Sequence, residues 1–185
     1  MVAYWLKELG LIHSFSLKPI AENRKDYEVR VQRSPRSADV LITDVGFGVS
    51  QVLPVLVLCY YAPEGSTLIF EQPEIHLHPA VQSGLADVFI DAINTRGIQI
   101  ILESHSEHLL RRLQRRVAEE QLTPEQAALY FTTMGEDGAS NLERLELDLF
   151  GNIRNWPQDF FGNDMGDLME MARAEMRRRD IAGAT

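Results

Sequence analysis

The sequence is short of cysteine, of lysine and of long apolar runs. Its 185 residues hold one cysteine, Cys59, inside an apolar stretch, so no disulfide framework staples the fold and a reducing compartment is expected. Only three lysines occur, Lys7, Lys18 and Lys25, and none follows a glycine loop. No G-x-x-x-x-G-K-[ST] segment is present, which excludes a phosphate-cradling loop within these residues. Positive charge is scarce as well: 18 Lys+Arg against 27 Asp+Glu leave a formal charge of -9, which argues against coating nucleic acid through overall charge. The most apolar run, VLPVLVLCYYA, is about half the length needed to cross a bilayer. The opening MVAYWLKELGL lacks the basic, apolar and small-residue order of a secretory leader. The expectation is a soluble, cytoplasmic protein with no membrane partner.

What is present suits one globular domain over residues 1–185, at 45% hydrophobic and 24% charged. Residues 2–10 read as a short helix closed by Gly10. YEVRV (27–31) alternates like a half-buried strand, and ADVLITDV (38–45) reads as a second. A helix apolar nearly all round is expected from Ser50 to Tyr61, with Pro54 near its first turn. After the turn APEGS come a strand at Thr67–Phe70, a helix from about Pro79, the apolar strand IQIILES, and a helix capped by Ser106. AALYFTT and NLERLELD read as further strands, and a tail helix is expected over about 163–182. Alternating strands and helices predict an α/β fold, a mostly parallel sheet flanked by helices on both faces. Such sheets bind ligands at the carboxyl ends of their strands.

Three stretches carry candidate chemistry. In DVGFGVSQ, Gly46 and Gly48 permit a tight turn, and Ser50 and Gln51 open a helix whose exposed N–H groups suit an anion; an ordinary glycine turn with an N-cap is the plainer account. In TLIFEQPEIHLHP, Glu71 ends a buried strand, a costly place for a carboxylate unless a cation such as Mg²⁺ needs it. The alternative is a carboxylate simply exposed at the strand end. His76 and His78, with Glu71 and Glu74, have a zinc-like composition but no third ordered ligand, so no zinc is expected. In IILESHSEH, His105 follows a buried strand and precedes a helix, from where an imidazole reaches a phosphate or a water.

The order GFGVSQVLPVL, EQPEIHLHP, SHSEHLL and WPQDFF resembles the carboxyl-terminal lobe of an ABC-type ATPase head. The similarity lies on the branch of RecF, the structural-maintenance-of-chromosomes (SMC) proteins and the OLD nucleases. The resemblance implies a P-loop NTPase-like fold and nucleotide-dependent head-to-tail dimerisation. It implies that Gly48, Ser50 and Gln51 form the signature that contacts a γ-phosphate held by a partner subunit. Glu71 would take the place of the metal-organising aspartate of the Walker B strand. Glu74, His76 and His78 would lie on the loop crossing the dimer interface, and His105 would be the switch histidine. ATP and Mg²⁺ are the cofactors so implied.

The sequence departs from that pattern twice. Gln72 stands where a glutamate usually polarises the attacking water, and an amide orients water without accepting its proton. The phosphate-cradling Walker A lobe is absent from these residues, so a lobe or subunit bearing it is an expected partner, beside a second copy of this chain. The alternative is a pseudo-ATPase interaction module. DNA remains a conceivable partner only through local basic faces such as Arg111, Arg112, Arg115 and Arg116, which the net charge does not support. The branch includes DNA repair and phage defence.

Overall fold

Apolar runs and alternating segments become strands in the computed structural model, which describes residues 1–21, 26–157, 160 and 169–176. The chain forms two compact units: Met1–Ala127 with Leu149–Gly151, and Ala128–Asp148 with Asn152–Thr185. The sequence reading had drawn one domain over residues 1–185.

In the first unit α1 (Val2–Glu8) leads to three strands, β1 (Ser14–Pro19), β2 (Tyr27–Gln32) and β3 (Val40–Leu41), joined as an antiparallel sheet in the order β1-β2-β3. Helix α2 (Phe47–Tyr61), β4 (Thr67–Glu71), α3 (Pro79–Arg96), β5 (Gln99–Glu103) and α4 (Glu107–Ala118) follow. Strands β4 and β5 run parallel, in register from Thr67↔Gln99 to Glu71↔Glu103. Leu68 and Phe70 face inward, and the Phe70 ring stacks on Phe89 of α3 with centroids 5.5 Å apart. Leu6, Val31, Val52, Leu56, Leu85 and Val88 complete a core of fully buried aliphatics, each worth about 1.5–3 kcal/mol when taken out of water. Burial pushes the Cys59 thiol up to about 12, so it remains a protonated packing group.

Among the described residues, no element covers the opposite face of the parallel pair. Thr67, Ile69 and Glu71 on β4 lie beside Gln99, Ile101 and Glu103 on β5, with Ile69 68% and Ile101 52% exposed. Parallel sheets are ordinarily covered on both faces; this one is covered on one.

The α/β class holds, while the elements differ from the sequence reading in four places. Among the described residues parallel pairing is confined to β4 and β5, because the expected third strand, β6 (Leu129–Met134), instead forms an antiparallel hairpin with β7 (Ser140–Leu145). Strand β1 was not foreseen; Pro19 at its end is tolerated because β1 is an edge strand. The strand read over 38–45 shrinks to Val40–Leu41, since Ile42–Asp44 turn into a 3₁₀ helix. Helix α2 starts three residues before Ser50, from the N-cap Gly46. Pro54 is thus interior, and it has no N–H for the Ser50 carbonyl four residues earlier, where the helical ladder is interrupted.

The second unit is built on the β6–β7 hairpin. Asn155 tightens it, its Nδ2 donating to the Arg144 carbonyl and its Oδ1 accepting from the Glu146 N–H. The Phe160 ring meets Phe131 and Trp156 at 4.8 and 4.9 Å. Of the tail helix read over 163–182, residues 169–176 are helical; the rest, with Met165 and Leu168, lies outside the described residues.

Candidate functional site

The parallel register of β4 and β5 puts two carboxylates side by side. Glu71 and Glu103 are partners at the last position of each strand, on neighbouring backbones about 4.8 Å apart, and both are exposed. Like charges directly paired across strands repel, so this edge is one at which a cation is welcome. The His105 Nε2 lies 3.2 Å from Glu103 Oε1, with the imidazole 80% exposed. Glu71 and His105, read from separate motifs, are brought to one edge by this pairing. Glu103 was not singled out as a site residue; its signal is the register, which spans 32 residues of sequence.

Beyond β4 the chain turns sharply. The Gln72 N–H donates to the Glu103 carbonyl at 2.9 Å, extending the ladder by one bond, and Gln72 then takes φ 44. A left-handed backbone at a residue with a Cβ costs about 1–2 kcal/mol, and such outliers gather at functional sites. Ile75 N–H bonds the Gln72 carbonyl and Leu77 N–H the Glu74 carbonyl, both at 3.1 Å, with His76 at φ 62 between them. These two turns leave His76 and His78 exposed and bury Glu74. Glu74 is 5% exposed; its Oε1 accepts from Ser104 Oγ at 2.6 Å and from the His105 N–H at 2.9 Å.

His78 caps α3, its Nδ1 accepting the Ala80 N–H at 3.2 Å with Pro79 opening the helix. Replacement of His78 by alanine is expected to lower the unfolding free energy by about 1 kcal/mol, the usual worth of an N-cap bond. Urea denaturation checks this.

The residues expected to form a signature stand on another element. Gly48, Ser50 and Gln51 occupy the first turns of α2, whose N-cap Gly46 supplies no side-chain cap. Ser50 and Gln51 are exposed. Uncapped N–H groups at a helix start favour an anion.

The four arginines of α4 are already paired. Arg111 meets Glu107, Arg112 and Arg116 share Asp87 at 2.7 Å each, and Arg115 and Arg116 share Glu119. Hydrogen bonds to Asp87 and Glu119 raise the Arg116 pKa further, and those from Arg115 and Arg116 hold the Glu119 carboxyl low. Among the described residues no group of three or more His, Cys, Asp or Glu side chains is arranged to hold a metal ion, and no helix is long and apolar enough to cross a membrane.

A family model described as "AAA domain, putative AbiEii toxin, Type IV TA system" matches residues 7–111, more than half of the chain and the segment holding α2, β4, β5 and His105. The chain belongs to this AAA domain family. Residues 122–171 match a second model, described as "Protein of unknown function (DUF3696)". No curated protein matches the chain. Solved structures of SMC heads share the fold of this AAA-family chain. One chain, from work on ATP-driven dimerisation and DNA-stimulated activation of SMC ATPases, is 16% identical with a TM-score of 0.54, over 78% of this chain and 83% of that one. An SmcHead bound to the C-winged helix domain of ScpA is 16% identical with a TM-score of 0.55, over 80% of this chain and 43% of that one. An Smc head from Pyrococcus furiosus, with an extended coiled coil and bound to the C-terminal domain of ScpA, is 16% identical with a TM-score of 0.53, over 78% and 34%. The AAA-family chain thus spans less than half the length of the latter two, and it shares the fold of part of an SMC head.

Proposed function

We propose that this chain is the signature, Walker B and switch lobe of an ABC-type ATPase head, completed by a Walker A-bearing lobe from outside these residues and working as a head-to-tail dimer. The observation that carries the reading is the convergence of Glu71, Glu103 and His105 at the carboxyl edge of a parallel pair. The bare Ile69–Ile101 face beside that edge supports it, being the surface a completing lobe would cover.

The two edge carboxylates are hard oxygen donors of the kind Mg²⁺ takes through its water shell, so the residues present fit the metal. When bound beside a nucleotide, Mg²⁺ neutralises charge on the phosphates. Glu71, with Glu103 next to it, would hold the waters of that shell. Gln72 would orient the attacking water through its amide. His105 would donate from its imidazole to the γ-phosphate oxygen, its Nε2 leaving Glu103 to do so. Ser50 and the first turn of α2 would meet the phosphate bound by the opposite subunit, across an interface to which the loop of Glu74, His76 and His78 belongs. The arginines of α4 are engaged by carboxylates, and DNA is not part of this reading. A cytoplasmic setting in DNA repair or phage defence goes with this reading.

One observation favours a second reading, a pseudo-ATPase module: an amide, not a carboxylate, occupies the base position. Calorimetry with ATP and Mg²⁺, on the chain alone and mixed with a P-loop-bearing lobe, separates the two. Binding confined to the mixture, and weakened tenfold or more by Glu71→Ala, is the expected result. No binding in either setting would leave the interaction module.

A further inference from the structure

Glu74 is the one buried charged side chain among the described residues, and it has no ion-pair partner there. A buried carboxylate without a cation is costly, and among the described residues its Oε2 has no hydrogen-bond partner, which adds to the cost. A fold that needed only to close the loop after β4 could place an apolar residue here at lower cost. What the carboxylate does instead is grip the loop after β5. Its Oε1 takes both the Ser104 hydroxyl and the backbone N–H of His105, and donors to a charged acceptor are held about twice as strongly as to a neutral one.

The grip is closed into a ring. Ser104 Oγ accepts the Ser106 N–H at 3.1 Å, and Ser106 Oγ donates to Gln82 Oε1 at 2.6 Å while accepting the Leu109 N–H. Gln82 Nε2 then returns to the Leu77 carbonyl at 2.9 Å, three residues after Glu74. The circuit ties the loop carrying Gln72 to the loop carrying His105 and to the first turns of α3 and α4. His105 is thereby fixed by its backbone, while its imidazole is exposed and meets only the exposed Glu103 carboxylate among the described ion pairs. That is the arrangement a switch needs: a rigid root and a movable head.

We propose that Glu74 is the positioning residue of the histidine switch, holding the His105 main chain in register with Gln72 so that water and γ-phosphate are addressed together. Its role rests on the ATPase reading for its consequence, but not for its geometry. It acts through an oxygen that accepts two donors, so glutamine retains it and alanine does not.

The test has two arms. In the chain alone, amide hydrogen exchange at His105 is expected to be protected; Glu74→Ala should speed it about tenfold or more, while Glu74→Gln keeps the protection. Unchanged exchange at His105 in Glu74→Ala would overturn the proposal, whatever the protein hydrolyses. In the head completed by a P-loop lobe, Glu74→Ala should lower kcat about tenfold with KM unchanged, and Glu74→Gln should restore turnover. Equal loss in both variants would make the charge itself the active element and also overturn the proposal. If Glu74→Ala does not fold, Ser104→Ala carries both arms: with one donor removed, a smaller rise in His105 exchange and a partial loss of kcat are expected, and no change in either would be fatal. A completed wild-type head without turnover would count against the ATPase reading and leave the exchange arm standing.

Discussion

Gln72→Glu is expected to raise ATP turnover by the completed head about 10²–10⁴-fold, the usual contribution of a well-placed general base. Glutamine and glutamate share a shape, so the substitution should leave the backbone at φ 44 and the Gln72 N–H bond to Glu103 as they are. What changes is one group, from an amide that orients water to a carboxylate that also takes its proton. The new charge joins Glu71 and Glu103 at the strand ends, so tighter retention of Mg²⁺ should accompany the gain, with an exposed-charge cost to the unliganded fold below about 1 kcal/mol. Single-turnover hydrolysis at neutral pH, with and without Mg²⁺, measures the effect. A rate unmoved by Gln72→Glu in a head that hydrolyses ATP would show that the attacking water does not lie against this side chain.

Gly151→Ala is expected to destabilise the first unit by about 3 kcal/mol or more. Gly151 has φ +77, and a Cβ there would run into the carbonyl oxygen of Gln114, with the carbonyl carbon 2.9 Å away. The left-handed backbone alone costs about 1–2 kcal/mol for a residue with a Cβ. The collision adds about 1–3 kcal/mol, since the opposing atoms are helix backbone and have no rotamer to escape into. The Gln114 Nε2 bond to the Gly151 carbonyl, at 2.7 Å, would be strained as well. Gly97→Ala is the control in the same unit: its φ is +61 but nothing lies within 4 Å of the added carbon, so it should show the backbone cost alone. Urea unfolding of the two variants should therefore differ by about 1–3 kcal/mol. Equal losses would mean that the segment 149–151 yields to the intruding methyl.

The framework of α3, β4, β5 and α4 was legible in the sequence because each element states its own pattern. Val81, Leu85, Val88 and Phe89 recur at helical spacing, and Leu68 and Phe70 mark one face of a strand. Ser106 was readable as a cap because the hydroxyl and the Leu109 N–H that donates to it are three residues apart. Where the reading slipped, the deciding contact was absent from the local sequence. The start of α2 was placed at Ser50, a natural capping residue, whereas Gly46 begins the helix without any side-chain bond. The strand SFSLKP was missed because only its pairing with β2 makes it one. At the site, Glu71 and His105 announced themselves by ending and following apolar strands. Glu103 needed the register of two strands 32 residues apart, and the inward turn of Glu74 needed the left-handed steps at Gln72 and His76. Neither is a property of a residue and its neighbours.

The bare side of β4 and β5 has a consequence for supply. A partner that binds only the folded chain adds stability by mass action, about 2.7 kcal/mol when present at a hundred times its dissociation constant. Copies made in excess of that partner keep two unpaired strand edges and the exposed Ile69 and Ile101, which are templates for wrong pairing. They also open more often, and opening is what proteases sample. If the proposed partner covers this face, the surplus would be the fraction removed first, and the level of this chain would follow that of the partner.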